Sequence, residues 1–265
     1  MDYRTVVTLL FLGFALLELR AGRFFQPGRA TLRDWMIEGV CGIVLPLVVI
    51  PGVFAIVPAV LEVLAPSSAD ALADWPWWQM FAVLLLADDL TQYLWHRASH
   101  ASPVLFRLHR AHHSAPYMSV RVTYRNNVFY YAMMPGLWLS AALVHLGFGP
   151  VYAVYAVLKM AVVIGAHASV PWDAWLLARR WTWPALFVIE RVISTPTTHA
   201  AHHGRHAADD ATHYQGNYGN FLFLWDVLLG TAKITRRVPE AYGLEHVEPV
   251  SWAEEVAWPL VGRDR

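Results

Sequence analysis

Apolar residues run in blocks rather than in short periodic stripes. Five stretches approach the roughly 20 residues that a helix needs to span a bilayer: about 5–19, 36–64, 77–95, 128–146 and 151–170. The first is short. Only Arg4 precedes it and no small-residue cleavage pattern follows, so it reads as a helix rather than a secretory leader. The second carries Pro46, Pro51 and Pro58 and is expected to kink. Gly147-Phe148-Gly149-Pro150 is too short to be anything but a hairpin between the last two. After residue 170 prolines and charges return, and Trp172, Trp175, Trp181 and Trp183 crowd together as in an interfacial aromatic belt. The pattern predicts an all-α integral membrane helical bundle of four to five crossings with a cytosolic helical cap. It reads as a single domain over 1–265: N-terminal membrane helices to 75, a core over 76–235 and a C-terminal tail over 236–265.

Composition agrees. Hydrophobic residues make up 57% of the 265-residue chain and charged residues 15%, against roughly 45–50% and about 25% in soluble proteins. Disorder is excluded. The formal net charge of zero argues against a nucleic-acid partner. The single cysteine, Cys41, excludes a disulfide framework or a multi-cysteine zinc site. Positive charges gather in 20–34, in 96–127 and after 170, whereas 65–76 and 147–150 have none. By the positive-inside rule the first three regions face the cytoplasm, which fits five crossings with an external N-terminus. Arginine outnumbers lysine 18 to 2 and alanine is abundant. This bias hints at a bacterial source, and so at an inner membrane.

Thirteen histidines are the outlier, and nine sit in three tight groups plus one isolated position on the cytoplasmic side. They are the pair His96 and His100, the box His109, His112 and His113, the box His199, His202 and His203, and the isolated His167. Spacings of i, i+3 and i+4 place each group on one helix face. Imidazole suits Fe, Zn, Cu and Ni. One divalent ion rarely needs more than four protein ligands, so nine imidazoles suggest two ions. No carboxylate is interleaved with the boxes. A two-metal site with open positions can activate dioxygen or water, and its place beneath apolar helices favours a lipid-like substrate. His145, His206, His213 and His246 lie outside the boxes, with His206 and His213 close enough to the third to support it. Asp89 precedes His96 by seven residues on nearly the same face and is a candidate to accept the distal N–H of a ligand histidine, or to pair with an arginine or the backbone. Asp226 is a similar case. Lys159, within the fifth run, has three options: snorkelling, pairing with Asp88, or lining a cavity.

These residues carry a resemblance. Asp89-Leu90-Thr91-Gln92-Tyr93-Leu94-Trp95-His96-Arg97 with His100, then His109-x-x-His112-His113, Thr123-Tyr124-Arg125-Asn126, Ala166-His167-Ala168-Ser169-Val170, Thr195-Pro196-Thr197-Thr198-His199-x-x-His202-His203, and Asn217-Tyr218-Gly219-Asn220 leading to Trp225-Asp226 stand in order. The chain resembles the fatty acid hydroxylase / sterol desaturase family of membrane non-haem diiron enzymes over about 80–235. The resemblance implies a diiron centre on the nine histidines, with Asp89, Asn217 and Asp226 at the catalytic site. It implies oxygen-dependent hydroxylation or desaturation of a lipid: fatty acyl, sterol, sphingoid, ether lipid or carotenoid. One departure stands out, because the acidic residue common in the family shortly after Arg125 is replaced here by Asn126-Asn127. There is no dinucleotide fingerprint and no fused cytochrome, so electrons are expected from a separate reductase, ferredoxin or cytochrome, or from a diffusible reductant. The competing readings are a membrane zinc lipid hydrolase, with zinc in place of iron, and a non-enzymatic metal or haem carrier. The first is weakened because H-E-x-x-H is missing, the second because the boxes flank the crossings.

Overall fold

The computed structural model describes residues 2–262, which excludes Met1 and the last three residues of the expected tail. Among the described residues there is no strand, only an isolated bridge between Gly204 and Tyr242. Five long elements lie side by side. They are α1 (Tyr3–Arg20), α2 (Leu32–Leu64), α3 (77–101), α6 (Pro135–Leu143, continued by a wide turn to Phe148) and α7 (Gly149–His167). Between α3 and α6 come α4 (Pro103–His113) and α5 (Val128–Ala132). After α7 come α8 (Asp173–Leu177), α9 (Trp183–Val192), α10 (Pro196–His202), α11 (Leu224–Leu229) and α12 (Trp252–Ala257).

The starts of the helices follow from local chemistry. Thr31 and Asp34 form a reciprocal capping box at the head of α2. Ser102 caps α4 with Pro103 behind it, and Thr195 with Thr198 caps α10 with Pro196 behind it. Proline at the first helical position has no N–H to leave unsatisfied. Two of the three histidine-bearing turns are therefore fixed in phase by a cap only a few residues upstream. The fourth apolar run does not form the single helix expected from Val128. The chain breaks after α5, and Met134 is extended before Pro135. The cause is the proline ring, which pushes the preceding residue out of the α region.

The long elements alternate in direction. The Tyr3 ring packs on Tyr152 at 5.8 Å, while at the far end of α1 the buried Glu18 carboxylate accepts from the Ser169 N–H at 2.7 Å and the Ser119 hydroxyl at 2.6 Å. α1 and α7 therefore run parallel. Gly147 turns the chain at φ 111°, as the hairpin expectation requires, and the backbone of Asp70 and Leu72 donates to the carbonyls of His145 and Leu146 beside it. Both arms of that hairpin then reach Asp88 on α3. A Cβ on Gly136 would lie 2.8 Å from the Asp88 carboxylate, and from α7 Lys159 approaches it at 2.6 Å and Tyr155 at 2.8 Å. Lys159 thus pairs with Asp88. The Gly147 turn and the 65–76 connection form one end of the bundle, and every boxed histidine lies at the other.

Two stretches, Leu32–Leu64 and Pro135–His167, are long and apolar enough to cross a membrane, although the second is folded back at Gly147. One apolar face of α2 points outward, with Leu47, Val48, Ile56, Val63 and Leu64 exposed, while Ile37, Cys41, Leu45 and Val53 are buried. Its head is bound into the histidine end. Asp34 pairs with the fully buried Arg125 at 2.8 Å and Glu38 pairs with Arg121 at 2.5 Å. Glu255 of α12 completes the cap through Arg33 at 2.5 Å.

Candidate metal centre

All nine boxed histidines converge, and they form two groups. His96, His100, His109, His113 and His202 form one. His112, His167, His199 and His203 form the other. Within each group one ring nitrogen per residue lies within 4.8 Å of all the rest. The boxes are shared between the groups. Residues i and i+4 stay together, as His109 with His113 and His199 with His203. The residue between them, about 100° round the helix, crosses to the other group. So His112 leaves its own box to join His199 and His203, and His202 leaves its own to join His109 and His113. The expectation that one turn presents its three imidazoles together is corrected in this respect.

The proton positions follow from the partners. The Nδ1 atoms of His96 and His202 lie 2.7 Å from the carbonyls of Tyr218 and Gly216, those of His112 and His167 at 3.1 and 2.7 Å from the carbonyls of Arg125 and Val163. A carbonyl only accepts, so each of these Nδ1 atoms carries the proton and each Nε2 is a bare lone pair. Yet the Nε2 atoms of His96 and His202 lie 3.0 Å apart, and those of His112 and His167 3.3 Å apart. Two lone pairs at that separation repel unless a cation sits between them or one ring is protonated. Protonation is opposed by burial, which holds His112 and His202 well below the usual imidazole range, as it does His109, His113, His199 and His203. Neutral, pre-oriented imidazoles with converging lone pairs and a carbonyl behind each form a donor set that fits divalent transition metals. No carboxylate belongs to either group.

The three acidic and amide candidates stand behind the centre, and none bonds to an imidazole. Asp89 accepts from the Trp225 indole at 2.7 Å and the Leu222 N–H at 3.3 Å. Asp226, fully buried, accepts from the N–H groups of Tyr218 and Gly219 and from the Thr231 hydroxyl at 2.6–2.8 Å. Burial raises its carboxyl above the usual range, against the opposing pull of those donors. Asn217, at φ 56°, donates to the carbonyls of Thr198 and Lys233. Asp226 and Asn217 shape the 216–219 turn, whose carbonyls orient His202 and His96, and Asp89 holds the Leu222–Trp225 segment that follows it. His206 bonds to Glu245, and His213 to the Thr231 carbonyl. Asn126 is the residue that sequence reasoning passed over. Its amide oxygen takes His109 Nδ1 at 2.9 Å, and the signal was its place directly after Arg125, where an acid is common. A cavity of about 180 Å³ opens on His100 and His113, walled by Phe106, Tyr214 and Leu244.

Fold and site together define an all-helical protein with paired histidine clusters of metal-binding spacing at one end of an apolar bundle. It belongs to the fatty acid hydroxylase family, whose model matches residues 81–231. It is 27% identical over 177 residues to alkylglycerol monooxygenase of Danio rerio, covering 65% of this chain and 33% of that protein. Against the Homo sapiens alkylglycerol monooxygenase it is 25% identical over 183 residues, 69% of this chain and 35% of that one. Against ornithine lipid hydroxylase OlsE of Rhizobium tropici it is 30% identical over 177 residues, 65% and 49% respectively. The chain thus spans about a third to a half of the length of these relatives. No solved structure matches it.

Proposed function

We propose that this chain is a single-domain, membrane-embedded lipid hydroxylase that works with two iron ions and dioxygen. The observation that carries the reading is the pairing of bare Nε2 lone pairs inside two buried histidine groups, which only bound cations relieve. His96, His100, His109, His113 and His202 would hold one ion, and His112, His167, His199 and His203 the other. Bound iron supplies the redox chemistry that converts a C–H bond, dioxygen, two electrons and two protons into C–OH and water.

The chain's own residues do the rest. Carbonyls of Tyr218, Gly216, Arg125 and Val163 and the Asn126 amide fix which nitrogen of each ring faces inward. Asp226 and Asn217 hold the turn that carries two of those carbonyls, and Asp89 holds the Leu222–Trp225 segment after it. The cavity beside His100 and His113 is large enough to admit dioxygen and water. The two electrons come from a separate donor protein or reductant. The exposed apolar face of α2 and the alternation of α1, α2, α3, α6 and α7 support five passes with the histidine end at the arginine-rich, cytoplasmic leaflet of a bacterial inner membrane. The relatives' names point to lipids carrying polar headgroups as substrates.

The test is metal analysis of protein purified in nanodiscs, followed by oxygen uptake with a lipid extract and an electron donor. Two irons per chain and a lipid product heavier by one oxygen are expected. A zinc-filled protein that modifies lipid without oxygen overturns the proposal.

A further inference from the structure

A second cavity lies outside the histidine groups. It measures about 450 Å³, within the usual range for ligand pockets. It sits at the histidine end of the bundle, between the 22–29 loop, the end of α7, α10 and the segment at 238–242. Its polar lining consists of Arg23, Arg29, Gln26, Ser169 and Tyr242, and it contains no carboxylate. Among the described residues neither arginine has an acidic partner. Arg23 donates one nitrogen to the Ser169 carbonyl at 2.7 Å, and the Arg29 side chain makes no hydrogen bond. Two guanidinium groups without an acidic partner on one wall form a donor-rich surface with net positive charge. Such a surface complements an oxyanion, which guanidinium groups grip in fork geometry.

The wall is shared with the candidate metal centre. Ala166 and Ala168 bracket His167, and Ala200 follows His199. We propose that this cavity receives the anionic headgroup, phosphate or carboxylate, of the lipid whose chain is oxidised. The site's role toward substrate rests on the hydroxylase reading; its preference for an anion does not. A headgroup held there keeps the first carbons of its chains next to the four-histidine group, and the oxidised position falls near the polar end of the lipid.

The experiment measures lipid retention by native mass spectrometry from nanodiscs, comparing phosphatidylglycerol with diacylglycerol of the same chains. The wild type is expected to prefer the anionic lipid by about tenfold or more, and Arg23→Gln/Arg29→Gln to bring the two within about twofold. Iron content is expected to stay unchanged. Arg29→Gln alone, at a side chain with no packing bonds to lose, gives a partial loss that Arg29→Lys restores. A preference that survives in the double variant overturns the site. Displacement of the lipid by millimolar inorganic phosphate assigns the cavity to a free anion and overturns the headgroup. If binding follows the arginines but the KM for the anionic lipid does not rise in the double variant, the link to substrate is overturned. If the wild type oxidises no lipid while binding still follows the arginines, the hydroxylase reading fails and the anion site stands.

Discussion

Asp226→Asn perturbs a single atom behind one histidine group. The Oδ1 atom of Asp226 accepts from the Tyr218 N–H and the Thr231 hydroxyl, and Oδ2 accepts from the Gly219 N–H at 2.6 Å. An asparagine keeps its oxygen at the first position and turns an NH2 toward the Gly219 N–H. One charge-assisted hydrogen bond is lost, worth about 1.5–3 kcal/mol, and a buried donor is left unpaired. The low end of the sum is about 3 kcal/mol, concentrated in the 216–219 turn. That turn supplies the carbonyls for His202 and His96, both in the five-histidine group. Fully transmitted, the loss weakens that ion's binding by about 100-fold, at the upper end of what outer-sphere changes do elsewhere. No ring of the four-histidine group bonds to a carbonyl of this turn. The expected result is a protein that falls from two irons to one under dialysis against a moderate chelator, with its helical circular dichroism unchanged. Retention of both ions, or their release in step, would refute the view that Asp226 acts through this turn.

Asn126→Leu removes the acceptor from His109 Nδ1 and is expected to weaken the same ion by about 10–100-fold, while Asn126→Asp retains it; chelator competition followed by metal analysis reads both. Lys159→Met strands the Asp88 carboxylate inside the bundle and is expected to cost about 3–5 kcal/mol of stability. Adding Asp88→Asn should recover most of this, as measured by thermal unfolding in detergent. Gly147→Ala places a Cβ within 2.7–2.9 Å of Ala73 at a φ of 111°. A loss of about 1–3 kcal/mol in the same assay, with iron content intact, is expected.

Eight of the nine histidines were legible because their spacings state a shared helix face before any tertiary contact exists, and His167 only by its place at the end of an apolar run. The division into two groups was not, since it depends on how α4 and α10 are turned toward each other, and side chains one residue apart point in different directions. Gly147 announced its hairpin through composition alone. The break before Pro135 was written in the same way and lost only because the apolar run continues across it. Asp89 misled for a different reason. Helical phase places it on the same side as His96, but the Trp225 indole, 136 residues away, takes its carboxylate. Asn126 shows the converse case. An amide oxygen accepts from an imidazole as a carboxylate would, so a missing acid does not imply a missing function.

Because His112 and His202 each cross from their own box into the opposite group, both groups need α4 and α10 together. A ribosome that has made only the first hundred and ninety residues has produced four of the five histidines of one group and two of the four of the other. Translation of the last box therefore completes both groups at once, adding His202 to one and His199 with His203 to the other.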